Sequence, residues 1–201
     1  MTCPKPDLPP SFEALLDEVH QCNLCAPYLP HGVRPVLQIH PQARILIAGQ
    51  APGRKVHNSG VPFDDASGDR LRNWMGISKE QFYNPRLVAI LPMGLCFPGS
   101  TQSGDKPPRE ECAPAWRATL LNSMKHLQLS LIIGKYAQAY HLTSQAKTLT
   151  GTVQQWRNYW PEKLPMPHPS PRNNRWLRNN PWFEEKVLPE LKARVSKILA
   201  H

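Results

Sequence analysis

Arg44-Ile45-Leu46-Ile47-Ala48-Gly49-Gln50-Ala51-Pro52-Gly53 is the stretch on which the fold turns. Its first half is almost wholly apolar and too short for a buried helix. That marks a strand covered on both faces, the habit of parallel sheets. Its second half passes at once into glycine and proline, so the strand hands the chain to an irregular loop. Open parallel sheets bind ligands outside the carboxyl ends of their strands, which makes Gly49 to Gly53 the first place to look for a site.

Three further short apolar runs follow the same pattern, at residues 86–91, 129–133 and 164–166, the last brief and flanked by prolines. Helical spacing fills the intervals. A helix starting near Asp69 turns Leu71, Trp74 and Met75 inward; Trp116, Leu120, Leu121 and Met124 mark another; residues 136–142 make a short one. A terminal helix runs from about Pro181, a residue suited to a first turn, to Leu199, and residues 12–19 form an amphipathic helix at the other end. The alternation predicts an α/β fold, a three-layer αβα sandwich around a four-stranded, mostly parallel sheet. A chain of 201 residues without repeats or a linker suits one domain spanning residues 1–201, with residues 1–11 as a loose N-terminal segment.

Lys and Arg outnumber Asp and Glu by 24 to 15, a formal charge of +9, which favours a polyanionic partner, nucleic acid first. No apolar run is long enough for a signal peptide or a membrane span, so a cytoplasmic protein with no membrane partner is expected, as a monomer. In a reducing compartment five cysteines point to metal ligation rather than disulfides. Cys22-x2-Cys25 and Cys96-x15-Cys112 form two spaced pairs, and Cys3 stands apart as a free thiol. Four thiolates suit a tetrahedral zinc or a 4Fe-4S cluster, and ligand softness does not choose between them.

Two loops carry the functional reading. Gly49-Gln50-Ala51-Pro52-Gly53 after the first strand and His168-Pro169-Ser170-Pro171 after the last, with Gly60-Val61-Pro62-Phe63 between them, resemble the motifs that define the uracil-DNA glycosylase superfamily. The resemblance covers roughly residues 22–182, and the cysteine pattern is similar to its iron-sulfur branches, families four and five. Phe63-Asp64-Asp65-Ala66-Ser67-Gly68 looks like family five, in which the aspartate before Ala-Ser-Gly serves hydrolysis; Asp65 is the matching position. Family four places an asparagine shortly before the third cysteine. Here Leu91-Pro92-Met93-Gly94-Leu95-Cys96 has none, which implies a pocket open to deaminated bases besides uracil, hypoxanthine among them.

The resemblance implies a DNA glycosylase that begins base-excision repair on DNA containing uracil or another deaminated base, with a structural 4Fe-4S cluster on Cys22, Cys25, Cys96 and Cys112, zinc being the alternative. Such an enzyme takes its target base out of the stack and breaks the bond to deoxyribose C1′. Positive charge grows on the sugar and negative charge on the base, and each needs a preorganised partner. Asp65 suits the cationic side, with Asp64 the adjacent alternative; the other role open to Asp65 is a helix N-cap. His168 suits the anionic side, against a histidine satisfied within its own turn. Phe63 would stack on the base, with Gln50 and Ala51 at its edge; ordinary core packing is the competing role for Phe63. Pro52, Gly53, Ser170, Pro171, Arg172 and Arg175 are placed for the DNA backbone, and Trp176 either wedges into the vacated stack or turns to the core.

Two other readings remain. A protein of the same fold could bind damaged DNA without cutting it; a covalent variant would need a histidine from an inserted loop, and only His57 near the first motif offers one. An unrelated nucleotide hydrolase is disfavoured because the Gly49 loop lacks the Gly-Lys-Ser/Thr ending of a P-loop.

Overall fold

The computed structural model describes residues 12–102 and 104–200; the segment 1–11, with Cys3, lies outside them. Helix α1 (Phe12–His20) precedes strand β1 (Ile45–Ala48). Then come α2 (Arg54–Ser59), α3 (Ala66–Met75), α4 (Lys79–Phe82), β2 (Val88–Ile90), the short strands β3 (Ser100–Thr101) and β4 (Gly104–Asp105), and α5 (Cys112–Asn122). The chain finishes with β5 (Leu129–Ile133), α6 (Gly134–His141), α7 (Leu149–Gln154), β6 (Lys163–Met166), α8 (Asn174–Asn179) and α9 (Leu188–Leu199).

The main sheet has the order β2-β1-β5-β6, and every neighbouring pair is parallel. The expected three-layer α/β sandwich is what forms. Alternation along the strands sorts side chains to the two faces. Ile45 and Ile47 of β1 join Leu71, Trp74 and Met75 of α3 and Leu191, Val195 and Ile198 of α9 in one buried cluster. Leu46 points the other way, to Leu15 and Val19 of α1 and Leu120 of α5. Pro165, which has no N–H to give a ladder, is tolerated because β6 is an edge strand. No helix of the described residues is long and apolar enough to cross a membrane.

Three boundaries differ from the sequence reading, each for a local reason. α3 begins at Ala66 rather than near Asp69, because the Asp65 side chain caps it. α5 begins at Cys112, a turn before Trp116, so the fourth cysteine sits on a helix. The terminal helix opens with a π-turn, Phe183–Val187, before α9. Pro189 explains this: it has no N–H for the carbonyl four residues back, so the α ladder cannot run through it.

A buried cation fixes the end of β2. Arg117 of α5, only 2% exposed, donates through Nη1 to the carbonyls of Leu91 and Pro92 at 3.1 and 2.9 Å, and through Nε to His141 Nε2 at 3.0 Å. His141 can accept because burial, reinforced by the Arg117 charge, pulls its pKa down to about 3. The chain leaving β2 toward Cys96 is therefore set by α5 and α6 rather than by the sheet alone.

Candidate functional site

A cavity of about 530 Å³ opens at the carboxyl ends of β1, β2 and β6. Gln50, Ala51, Pro52 and Gly53 line it from the loop after β1, with Phe63 and Asp65 from the approach to α3. His168, Ser170, Pro171 and Arg172 line it from the loop after β6. The two sequence motifs thus meet across one space. Asp64 and Arg175 are exposed residues outside that lining.

Asp65 takes the N-cap role and also faces the cavity. Its Oδ1 accepts the backbone N–H groups of Ser67 and Gly68 at 2.8 and 3.0 Å, capping α3. Neither capping bond uses Oδ2, and the residue lines the cavity.

Phe63 has a left-handed backbone, φ +54°, which costs a residue with a side chain about 1–2 kcal/mol. Tyr83 helps to hold it: the hydroxyl donates to the carbonyls of Pro62 and Phe63 at 3.0 and 3.3 Å. The Phe63 ring meets Phe82 edge-on at 6.2 Å between centroids. Gly68 completes the fit, since a Cβ there would stand 1.9 Å from the Phe63 carbonyl oxygen. Gly68→Ala should therefore displace Phe63 and destabilise the fold by about 1–3 kcal/mol, read as a lowered midpoint in urea; an unchanged midpoint would count against this account.

His168 Nδ1 accepts the N–H of Ser170 at 3.1 Å, and Asn173 Nδ2 donates to the His168 carbonyl at 2.7 Å. Burial lowers the imidazole pKa, an effect partly offset by the carboxylates of Asp65 and Asp105. The neutral ring then carries its proton on Nε2, leaving that nitrogen as the donor.

Some residues of the site had no signal of their own in the sequence. Arg70 of α3 donates through Nη1 to the Ser170 carbonyl at 3.1 Å and through Nη2 to Asn174 Oδ1 at 2.7 Å, tying the Asp65-capped helix to the His168 loop. Asp105 of β4 lines the cavity and receives the Ser100 hydroxyl at 2.7 Å; the only hint was its place in a long loop. Gln50 Nε2 donates to the Lys106 carbonyl at 2.9 Å, so this amide braces the β3–β4 segment. Trp176 turns inward: Nε1 donates to Thr150 Oγ1 at 2.8 Å and the ring packs on Trp182 and Phe183, which removes it as a wedge.

Cys22, Cys25, Cys96 and Cys112 line one small second cavity beside the first, together with Leu95, Arg109 and Trp116. Trp116 Nε1 donates to Cys22 Sγ at 3.2 Å and the Leu95 N–H to Cys112 Sγ at 3.3 Å, orienting both sulfurs as acceptors. Burial pushes the Cys96 and Cys112 thiols up to about 11, so thiolates there call for a cation. Among the described residues, no three Cys, His, Asp or Glu side chains are gathered to hold a single metal ion.

Sheet order, loop pair and pocket together define a parallel α/β protein that places the carboxylates of Asp65 and Asp105 and the imidazole of His168 around a cavity at the carboxyl ends of its strands. The family follows from the sequence match to it. The chain belongs to the uracil DNA glycosylase superfamily, whose model matches residues 37–192. A solution NMR structure of a protein from Methanosarcina acetivorans, provisionally assigned as a uracil DNA glycosylase, is similar at 16% identity. The likeness covers 81% of this chain and 94% of that one, with a TM-score of 0.48.

Proposed function

We propose that the protein hydrolyses the N-glycosidic bond of uracil, or of another deaminated base, flipped out of DNA. The observation that carries this reading is the convergence on one cavity of Phe63 and Asp65, from the approach to α3, with His168, from the loop after β6. With the base against Phe63, the Asp65 carboxylate faces the sugar, stabilises its growing positive charge and orients or deprotonates the water. The C1′–N bond breaks as the water oxygen bonds to C1′. The base leaves as an anion, whose charge His168 Nε2–H meets with a hydrogen bond before the base takes up a proton. Arg172, with Ser170 and Pro171, faces the phosphates.

Single-turnover cleavage of oligonucleotides containing uracil, hypoxanthine or xanthine tests the reading and ranks the bases. One observation favours a second reading, a damaged-DNA binding protein: the Asp65 cap shows that its carboxylate has a structural use independent of catalysis. Retention of lesion-containing DNA with no abasic product would select it.

We further propose that the four cysteines hold a 4Fe-4S cluster with a structural role. The small cavity lined by the four cysteines, two of whose sulfurs are made acceptors by N–H donors, suits the cluster, with zinc as the alternative. When bound, the cluster would join the Cys22–Cys25 segment to the two ends of the Cys96–Cys112 loop. Protein purified without oxygen should be brown and contain iron and acid-labile sulfide, and Cys96→Ala should lose both. A colourless, zinc-loaded protein would overturn the assignment.

A further inference from the structure

The deepest unassigned feature is a run of exposed rings and cations beside the cavity. Tyr28 is 58% exposed, and Arg109 stacks on its ring with the guanidinium carbon 4.2 Å from the centroid. Glu111 holds that arginine in place, accepting from its Nε at 3.1 Å. His31, also exposed, is stacked on buried Phe97 at 5.1 Å and 20°. Its carbonyl is bonded to His57 Nε2 at 3.0 Å. Both rings are thus fixed before any ligand arrives, which lowers the entropic cost of stacking on them.

The run is continuous with the cavity at two points. Arg54, directly after the cavity residue Gly53, has Nη2 3.5 Å from His31 Nε2. Lys106, directly after the cavity residue Asp105, shares Gly99 with Pro30: the position of a Gly99 Cβ lies 3.1 Å from Pro30 Cγ and 3.9 Å from Lys106 Cδ. Arg54, Lys55, Lys106 and Arg34 are exposed here; Asp105, Glu110 and Glu111 are acids of the same segments, Glu111 being paired with Arg109.

We propose that residues 28–31, with Arg54 and Lys106, bind the unpaired strand continuing from the flipped nucleotide, stacking a base on Tyr28 and placing its phosphates on the cations. The proposal rests on the reading of the main cavity as a DNA-base pocket. Bases inside a duplex are paired and already stacked and offer no free face to a ring. Single strands offer one at every nucleotide, which is why aromatic rings in basic tracks select them. The stripe therefore assigns the preferred substrate: a deaminated base in single-stranded DNA, or at a junction where the neighbouring strand is unpaired. A protein partner is the poorer fit, because the exposed rings are interleaved with cations instead of forming an apolar patch.

The test is equilibrium binding of a fluorescein-labelled oligonucleotide carrying one 2′-fluoro-substituted deoxyuridine, which resists hydrolysis, used single-stranded and annealed to its complement. Tyr28→Leu should weaken single-strand binding by about tenfold and duplex binding by about twofold or less, while Tyr28→Phe stays close to the wild type. Thermal unfolding of each variant shows that the fold is kept. Equal affinities of Tyr28→Leu and the wild type for the single strand, or an equal loss on both DNAs, would overturn the stripe. Wild-type protein that binds the single strand through Tyr28 yet cuts no deaminated base would leave the stripe standing and sink the glycosylase reading.

Discussion

Asp65→Asn is expected to fold like the wild type and to cut uracil-containing DNA about 10²- to 10⁴-fold more slowly in a single turnover. Asparagine caps a helix about as well as aspartate, so the bonds from Ser67 and Gly68 survive the change. What disappears is the negative charge that the proposed mechanism sets against the sugar, together with the base that would take a proton from water. Asp65→Ala would lose the cap as well, about 1 kcal/mol of stability, and would confuse the two roles. The comparison thus separates capping from chemistry: an active Asp65→Asn enzyme would reduce Asp65 to a cap and move attention to Asp64.

His168→Ala should lower the cleavage rate by about 10²- to 10³-fold with little change in DNA affinity, since its hydrogen bond strengthens only as charge develops on the leaving base. The pH profile adds a sharper test. Burial lowers the His168 pKa, so the neutral donor persists below the ordinary histidine value of about 6.5. The wild-type rate should show no inflection at that value; protonation of the ring comes at lower pH. Asp105 works in the opposite direction, favouring the cation, so Asp105→Asn should move the inflection further down. A rate that falls as pH rises through 6.5 or above, with the fall absent in His168→Ala, would show that the imidazolium is the working form.

The strands and the two pocket loops were legible because their information is local. A run such as Ile45 to Ala48 can be buried on both faces only in a sheet interior, and glycine and proline after it leave few options but a loop. The start of α3 was misplaced by a few residues because Ser67 and Gly68 are poor helix formers, whereas Asp65 supplies the cap that lets the helix begin there. Arg70 could not be read at all, and Gln50, placed at the base edge by its motif, gave no sign of its bond to Lys106. Their partners, Ser170 and Lys106, lie 100 and 56 residues away, and no spacing rule reports a hydrogen bond across that distance. Trp176 looked equally suited to DNA and to the core until Thr150 was found beneath its indole nitrogen. Each of these residues depends on which elements meet, which the sheet order decides.

The bond from Arg70 to the Ser170 carbonyl bears on the life of the chain before it is finished. Asp65 and its helix emerge from the ribosome long before His168 does, and contacts between distant parts of a chain form late. Until the last strand docks beside β5, the growing polypeptide has a basic surface and half a pocket, with nothing opposite the carboxylate. The pocket is therefore complete only after β6 and the loop beyond it have been made, and a chain broken off before Pro167 would keep the Gly49 loop and Asp65 without the wall that carries His168.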